Sequence, residues 1–275
     1  MARQNGTMKK FLLALSALIV LSLVVLGVRI VGARDETDAV SAKDAAKLVH
    51  TTGAEDAGRS GAPDAGLRPA AGTYRYTGAG RENVSALGGS QHVFPAKIAT
   101  VVALDAKDEC AWTLNVVYVK QHIEQRSFCT TKAGLADTGF ERRIEFFNQT
   151  ETKTYDCDEG AMRLKASAAP GDTWKWSCHE GSDATSSYVA KVIGPETLTV
   201  GGAKVETTHM RITSTQTGDT KGSDAQDLWY LPTGLPARFS GALDVTTKSV
   251  IGDTKFHEQY RYDLMSTVPV VDELD

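Results

Sequence analysis

Four cysteines carry the chemistry that the sequence constrains most: Cys110, Cys129, Cys157 and Cys178. None lies in a C-x-x-C pair, which zinc and redox sites normally contain. An even number of cysteines in an oxidising compartment favours disulfides. Of the three connectivities, pairing in sequence order closes the shortest loops, so we predict Cys110–Cys129 and Cys157–Cys178. If a third strand lay between Cys157 and Cys178, their backbones would be too far apart for a bridge unless the sheet curled.

Other reactive side chains form no recognised motif. The chain has no G-x-S-x-G, H-E-x-x-H, P-loop or G-x-G-x-x-G sequence. Five histidines at no known ligand spacing are predicted to be surface or hydrogen-bonded residues: His92, His122, His179, His209 and His257. The acidic runs at 105–109 and 156–159 lack the spacing of an EF-hand loop and are predicted to be solvated turns. We predict no catalytic residue, no metal site and no cofactor, although a Ser-His-Asp triad assembled in space stays open.

Glu258 is the one carboxylate that the pattern places inside the protein. It shares the parity of Phe256, Tyr260 and Tyr262, so its side chain is expected to face inward. An inward carboxylate is hydrogen-bonded, paired with an arginine, or functional, and pairing is the commoner outcome. With Glu206 as a second carboxylate, Glu258 is also the candidate for acid–base chemistry.

Period-two alternation of apolar residues dominates the body of the chain, for example from Trp112 to Tyr118 and from Trp174 to Trp176. Turn signals rich in Gly, Pro and Asp separate these stretches. Alternation between turn signals predicts an all-β fold with about ten to twelve strands, because a strand with one buried face alternates apolar and polar residues. A sheet of that size curls, so we expect a curved antiparallel sheet in the form of a half-barrel or barrel.

A concave sheet offers a place for an apolar ligand. The candidate lining residues are the aromatic positions expected to point inward, together with the inward carboxylate: Trp112, Trp174, Trp176, Trp229, Tyr260 and Glu258. The alternative is that the aromatic residues simply fill the core, and it is the more common situation.

The N-terminal 72 residues predict how the β-domain is attached to the membrane. Residues 11–33 begin with FLLALSALIVLSLVVLGV, which is long and apolar enough for a transmembrane signal-anchor, and Arg3, Lys9 and Lys10 keep residues 1–10 cytoplasmic. A cleaved signal peptide is the alternative. Residues 34–72 are predicted to be a disordered linker, with a transient helix at 41–50. The β-domain then covers 73–267, and 268–275 form an acidic tail.

Charge restricts the partners. The net charge of −4 and the sequence pI of about 5.9 give no basic surface, so nucleic acid is not expected as a partner. The predicted location is the cell membrane, with a single pass and the domain on the extracytoplasmic side. Besides the membrane, the expected partners are an apolar small molecule or an envelope protein.

One stretch resembles a known group of domains. It reads VIGPETLTVGGAKVETTHMRITS, then DLWYLPTGLPARFSGALDV, then GDTKFHEQYRYDLMS, in which Trp229-Tyr230 leads into a Pro-Thr-Gly turn. This order is similar to bacterial envelope β-domains of unknown function, including the TapB-like periplasmic domains. The resemblance implies a curved antiparallel sheet without an agreed activity. The predicted anchor and the four cysteines depart from that group.

These observations favour a membrane-tethered, non-enzymatic extracytoplasmic β-domain with a binding or envelope-structural role, and an apolar ligand is the specific version of this hypothesis. Two alternatives remain open. One is an extracellular hydrolase that acts on cell-wall material, and the other is a protein-interaction module.

Overall fold

The computed structural model describes residues 39–50, 68–249 and 252–270. They contain one helix, α1 (Ala42–His50), and fourteen strands. The first seven strands are β1 (Gly72–Val84), β2 (Ser90–Phe94), β3 (Lys97–Leu104), β4 (Ala111–Val119), β5 (His122–Thr131), β6 (Gly134–Phe146) and β7 (Gln149–Cys157). The others are β8 (Met162–Lys165), β9 (Thr173–Glu180), β10 (Ala184–Val200), β11 (Ala203–Gly218), β12 (Thr220–Tyr230), β13 (Pro236–Ser249) and β14 (Gly252–Leu264).

Twelve of the strands form a closed antiparallel barrel, which confirms the all-β prediction in its barrel form. Neighbouring strands follow one another around the ring, and β14 pairs with β1 from Tyr76↔Leu264 to Val84↔Phe256 to close it. The two remaining strands lie beside the ring path. β2 extends the line of β3 along the edge of β1, and β8 extends the line of β7 along the edge of β6.

Both disulfides are present with the predicted pairing. Cys110 and Cys129 lie 4.7 Å apart at Cα, and Cys157 and Cys178 lie 3.8 Å apart. The expected difficulty with the second bridge does not arise, because β8 does not separate its partners. The chain leaves β7 after Cys157, β8 pairs only with β6, and β7 therefore meets β9 directly at Cys157↔Cys178.

The junction between β7 and β9 is the shortest pairing in the ring. It contains only Asp156↔His179 and Cys157↔Cys178, whereas β10 and β11 pair along nearly their full lengths. Across the same junction, the indole N–H of Trp174 donates a hydrogen bond to the carbonyl of Met162 on β8. The second disulfide therefore holds the barrel together where the backbone pairing is weakest.

Helix α1 packs against the outside of the barrel. Ala45 and Val49 contact a small apolar cluster that includes Val101 on β3 and Val117 on β4. Ser41 precedes the helix and caps it, because its hydroxyl oxygen accepts a hydrogen bond from the backbone N–H of Asp44. This helix explains why β3 is apolar on both faces, since one face meets the barrel core and the other meets α1.

The predicted domain boundaries stay predictions. Residues 11–33, most of the linker and residues 271–275 lie outside the described ranges. The described part of 34–72 contains α1. In the predicted C-terminal tail, the backbone N–H of Val270 donates to the carbonyl of Thr73. Over the ranges described here, no helix has the length and apolar character needed to cross a membrane.

Candidate functional site

Four ionisable side chains meet on three adjacent strands and at the start of β5, inside the barrel. Glu82 on β1 lies directly opposite His92 on β2 and directly opposite Glu258 on β14. His122, the first residue of β5, completes this group, which we call the interior cluster. All four side chains are fully buried.

Short contacts join the members of the interior cluster. The Nδ1 atom of His92 lies 2.6 Å from Oε1 of Glu82, and Nδ1 of His122 lies 2.6 Å from Oε2 of Glu82. Oε1 of Glu258 is 3.9 Å from Nδ1 of His122. Neither oxygen of Glu258 has a hydrogen-bond partner among the described residues. Glu258 therefore contributes a buried carboxyl group whose bonding capacity is unused.

An arginine–carboxylate pair borders the cluster. Arg142 on β6 lies opposite Glu124 on β5, and both its Nε and Nη2 atoms donate to Oε1 of Glu124, with a distance of 2.8 Å from Nε. Nη2 of Arg142 also lies 3.9 Å from Oε2 of Glu258. The predicted pairing of Glu258 with an arginine is therefore present only as a distant contact, since Arg142 bonds to Glu124.

These surroundings shift the pKa values in opposite directions. Burial raises the pKa of Glu258 to about 8, against the attraction of His122 and Arg142. Burial also acts to raise the pKa of Glu82, but His122 and His92 outweigh it and the pKa lies below its usual value. For His122, burial is outweighed by the carboxylates of Glu82 and Glu258, so its pKa is raised. Glu258 is therefore the carboxyl group of the cluster whose pKa lies above neutral pH.

A cavity of about 330 Å³ opens beside the cluster, at the end of the barrel where β6 turns into β7. We call this end the aromatic mouth. Its apolar lining comes from β1, β6, β7, β13 and β14 and includes Phe140, Ile144, Phe146, Phe147, Tyr155 and Phe256. Polar side chains at the same opening include Gln149, Lys153, Gln216 and Lys248. The ring of Phe146 stacks on His92 with centroids 4.2 Å apart, so it lies between the cavity and the cluster.

The turn at the aromatic mouth has an unusual composition. Phe146 pairs with Gln149, which leaves Phe147 and Asn148 as a two-residue loop with φ values of 54° and 57°. Positive φ at both central positions is the type I′ hairpin geometry, which favours Asn and Gly. A phenylalanine in the left-handed region is uncommon, and it places an aromatic ring in the wall of the cavity.

A second polar network fills the middle of the barrel. Arg163 on β8 is 1% exposed and donates to the hydroxyl of Tyr230 at 2.6 Å, to Asp137 at 2.8 Å and to Gln226 at 3.1 Å. The amide of Gln226 in turn donates to Oδ2 of Asp224 at 2.7 Å. This network spans β6, β8 and β12 and leaves little open space there, because the central cavity measures only about 40 Å³.

The predicted lining residues do not form one surface. Trp112 is a core residue whose ring contacts Phe128 in a tilted arrangement, and Trp176 stacks on Tyr188. Trp174 lies on β9 at the junction with β7, where its indole N–H donates to Met162 on β8. None of these tryptophans lines the cavity at the aromatic mouth.

Trp229 and Tyr260 complete the set. Trp229 lies on the other side of β12 from the inward Leu228 and stacks on His209 with centroids 4.1 Å apart, so its predicted inward orientation is wrong. Tyr260 does face inward, where it lines the small central cavity. Glu258 is buried as expected, but it lies behind the mouth rather than in its wall.

The structure also separates the carboxylates considered for hydrolysis. Glu206 is exposed, accepts a hydrogen bond from Thr197 at 2.6 Å, and lines a cavity at the other end of the barrel beside Leu231. Glu258 lies behind the aromatic mouth, so the two carboxylates do not flank one substrate. Three of the six histidines pair with carboxylates away from the cluster: His179 with Asp158, His209 with Asp227, and His257 with Asp244.

Sequence reasoning missed Glu82, His92 and His122. Their positions had one usable signal, which is the parity that they share with inward aromatic residues: Glu82 with Tyr76, and His92 with Phe94. The spacing along the chain gave no signal, because cross-strand pairing brings the residues together. Glu82, His122 and Glu258 each offer an atom within 4.8 Å of the others, so they are the described residues that could hold a metal ion.

Comparisons with known proteins do not indicate a function for this chain. No family model matches the chain, and no curated protein matches it. Among solved structures, the chain is similar to the hypothetical lipoprotein YmcC from Escherichia coli, with a TM-score of 0.31 and 13% identity over 78% of this chain and 95% of that one. A similarity this low carries no argument about function. None of these findings supports the likeness to TapB-like domains.

Proposed function

We propose that the barrel is a non-enzymatic binding domain that takes up the apolar chain of a small single-chain amphiphile at the aromatic mouth. The observation that carries this proposal is the open cavity of about 330 Å³ with its wall of aromatic and aliphatic side chains. Pockets for small ligands are typically concave, mostly apolar and about 300–1,000 Å³ in volume. This cavity is at the small end of that range, which favours one chain over a lipid with several.

The arrangement of polar groups supports an orientation for the ligand. The apolar rings of Phe140, Phe146 and Phe256 line the cavity, whereas Gln149 and Lys248 are exposed at its opening. A chain buried against the rings would leave its polar head beside these side chains. The full burial of one methylene group contributes about 0.8 kcal/mol, so a chain of several methylenes can give measurable affinity.

The proposed location is the extracytoplasmic side of a cell membrane, where residues 11–33 would anchor the domain. A tethered domain with a mouth for a single apolar chain would hold such molecules near the membrane surface. Membrane attachment is therefore part of the proposal, and it rests on the sequence of the N-terminal segment.

The test is a binding measurement with a fluorescent single-chain fatty acid analogue on the full chain. Ile144 points into the cavity, and Ile144→Trp would fill part of its volume. We expect that variant to reduce the affinity for the probe at least tenfold. The matched control is Val189→Trp, since Val189 is an exposed residue on β10 outside the cavity. Equal affinity in the wild-type protein and both variants would contradict the proposal, as would the absence of binding.

A further inference from the structure

We infer that Glu82, His122 and Glu258 form a binding site for one divalent transition-metal ion, of the class of Zn²⁺, inside the barrel. This site is separate from the proposed ligand cavity, because none of its three side chains lines the aromatic mouth. It depends on the interior cluster alone and would exist whether or not the barrel binds an amphiphile.

Two carboxyl groups of the interior cluster lie side by side. Glu82 and Glu258 are directly opposite one another on adjacent strands and point into the same buried space. A buried carboxyl group without a hydrogen-bond partner is costly, and ionising both groups this close together would add repulsion across the strand pair. Arg142 does not resolve this, because it bonds to Glu124. A divalent cation between the two carboxylates and His122 would neutralise both.

The interior cluster also contains potential ligand atoms that make no hydrogen bond among the described residues. Oε1 and Oε2 of Glu258 and Nε2 of His122 are buried and make no hydrogen bond within the described part of the chain. One atom from each of the three residues lies within 4.8 Å of the others. Ligands at about 2.0–2.2 Å from a tetrahedral zinc ion lie roughly 3.5 Å apart, so closing the site requires side-chain shifts of about 1 Å.

The surroundings resemble the outer shell that metal sites use. The hydrogen bond of 2.6 Å from His92 holds Oε1 of Glu82, which leaves Oε2 directed at His122. Hydrogen bonds of this kind orient ligating carboxylates. The rings of Phe94 and Tyr118 lie beside the His122 ring, with centroids 5.8 and 5.0 Å from it, and exclude water.

The ligand types indicate which class of ion fits. One imidazole and two carboxylates suit zinc, and with it manganese and ferrous iron. Calcium and magnesium prefer sites made only of oxygen ligands and usually more of them. Three protein ligands leave a fourth position on zinc for a water molecule or another donor.

The experiment uses the full, oxidised chain, cleared of metal by a chelator in mild denaturant and then refolded. Titration with Zn²⁺ is followed by calorimetry, and bound metal is counted by elemental analysis. We expect one ion per chain in the wild-type protein. Glu258→Gln and His122→Gln remove ligands while keeping side-chain size similar, and each should weaken binding more than about 100-fold. His92→Gln should weaken it by about 10–100-fold, the usual effect of an outer-shell change.

Two control variants separate this site from others. Asp224→Asn alters a buried carboxylate outside the cluster, and His209→Gln alters a histidine that lies near Glu196 and Asp227. Both should bind zinc as the wild-type protein does. The inference would be overturned by a wild-type chain that binds no zinc, by undiminished binding in Glu258→Gln and His122→Gln, or by binding that is lost in His209→Gln.

A measurement on the wild-type protein keeps the test independent of whether the variants fold. One equivalent of Co²⁺ should broaden the NMR signals of the His122 and His92 rings before those of His179, His209 and His257. Broadening of the last three first would place the ion at the surface and refute an interior site. Because probe binding is measured at the aromatic mouth, failure of either proposal leaves the other standing.

Discussion

Asp224 provides the sharpest test of how burial inside the barrel affects the ionisation of a carboxyl group. It lies on β12 facing the interior, is 9% exposed, and accepts a hydrogen bond from Gln226. Burial raises its pKa from 3.8 to about 6, although Arg142 and Arg126 act in the opposite direction. The folded state therefore binds a proton more tightly than the unfolded chain. Stability that is present below about pH 4 is lost as the pH rises through about 6.

The replacement Asp224→Asn removes this titration while keeping the shape and the hydrogen-bond acceptor. A shift of about two pKa units corresponds to roughly 3 kcal/mol, because one unit corresponds to about 1.4 kcal/mol. We expect the difference in unfolding free energy between the variant and the wild-type protein to grow by that amount from pH 4 to pH 7 and then stay constant. Urea unfolding at several pH values, followed by tryptophan fluorescence, measures this difference directly.

Ser214 supplies the control because it lies opposite Asp224 on β11, is buried, and does not ionise. The variant Ser214→Ala should differ from the wild-type protein by the same free energy at every pH. A difference for Asp224→Asn that does not change between pH 4 and pH 7 would show that the carboxyl group is hydrated in the folded protein. Burial would then not raise the pKa of Asp224.

Two further predictions concern the ring and its mouth. Replacement of Cys157 and Cys178 by serine should lower the unfolding free energy by about 3 kcal/mol and speed hydrogen exchange on β9, because only two residue pairs join β7 to β9; unchanged exchange there would contradict the weak junction. Phe147→Asn should raise the unfolding free energy by up to about 1 kcal/mol, because Asn suits the left-handed conformation, and should weaken probe binding at the aromatic mouth. A loss of stability with unchanged probe affinity would contradict this view of Phe147.

The all-β fold could be predicted from the sequence, because apolar and polar residues alternate along the strands that have one face against the core. In β10, for example, Tyr188, Ala190 and Val192 are buried between exposed neighbours. The closure of the ring could not be predicted, since it depends on the pairing of β1 with β14, which are separated by nearly the whole domain. The position of β8 beside the ring could not be predicted either, because the sequence of a four-residue strand does not indicate which neighbouring strand it pairs with. Local patterns define strands, but only the sum of twist and register closes a barrel.

Trp229 shows where residue type misleads, since strand parity with the inward Leu228 would have placed it on the outer face. Large apolar residues are expected to face inward, but a β-strand can also bury an aromatic ring on its outer face under polar side chains. Trp229 is covered there by His209 and Arg238, and its indole N–H donates to Glu196 at 2.6 Å. An outer tryptophan with a satisfied N–H is stable, so its burial says little about which face of the sheet it occupies.

The interior cluster was hidden from sequence reasoning for the opposite reason. In β5, the inward positions include His122, Glu124 and Arg126, so by polarity alone this strand would have been oriented the wrong way. Polar residues occupy the inner face of a barrel when each has a partner across the interior. Here His122 meets Glu82 on β1, and Glu124 bonds to Arg142 on β6. Glu258 is the exception, since its oxygens lack such a partner among the described residues. Glu82 and Glu124 bond to histidine or arginine and Asp224 accepts from Gln226, so Glu258 is the inward carboxyl group at which a ligand outside the polypeptide would complete the hydrogen bonding.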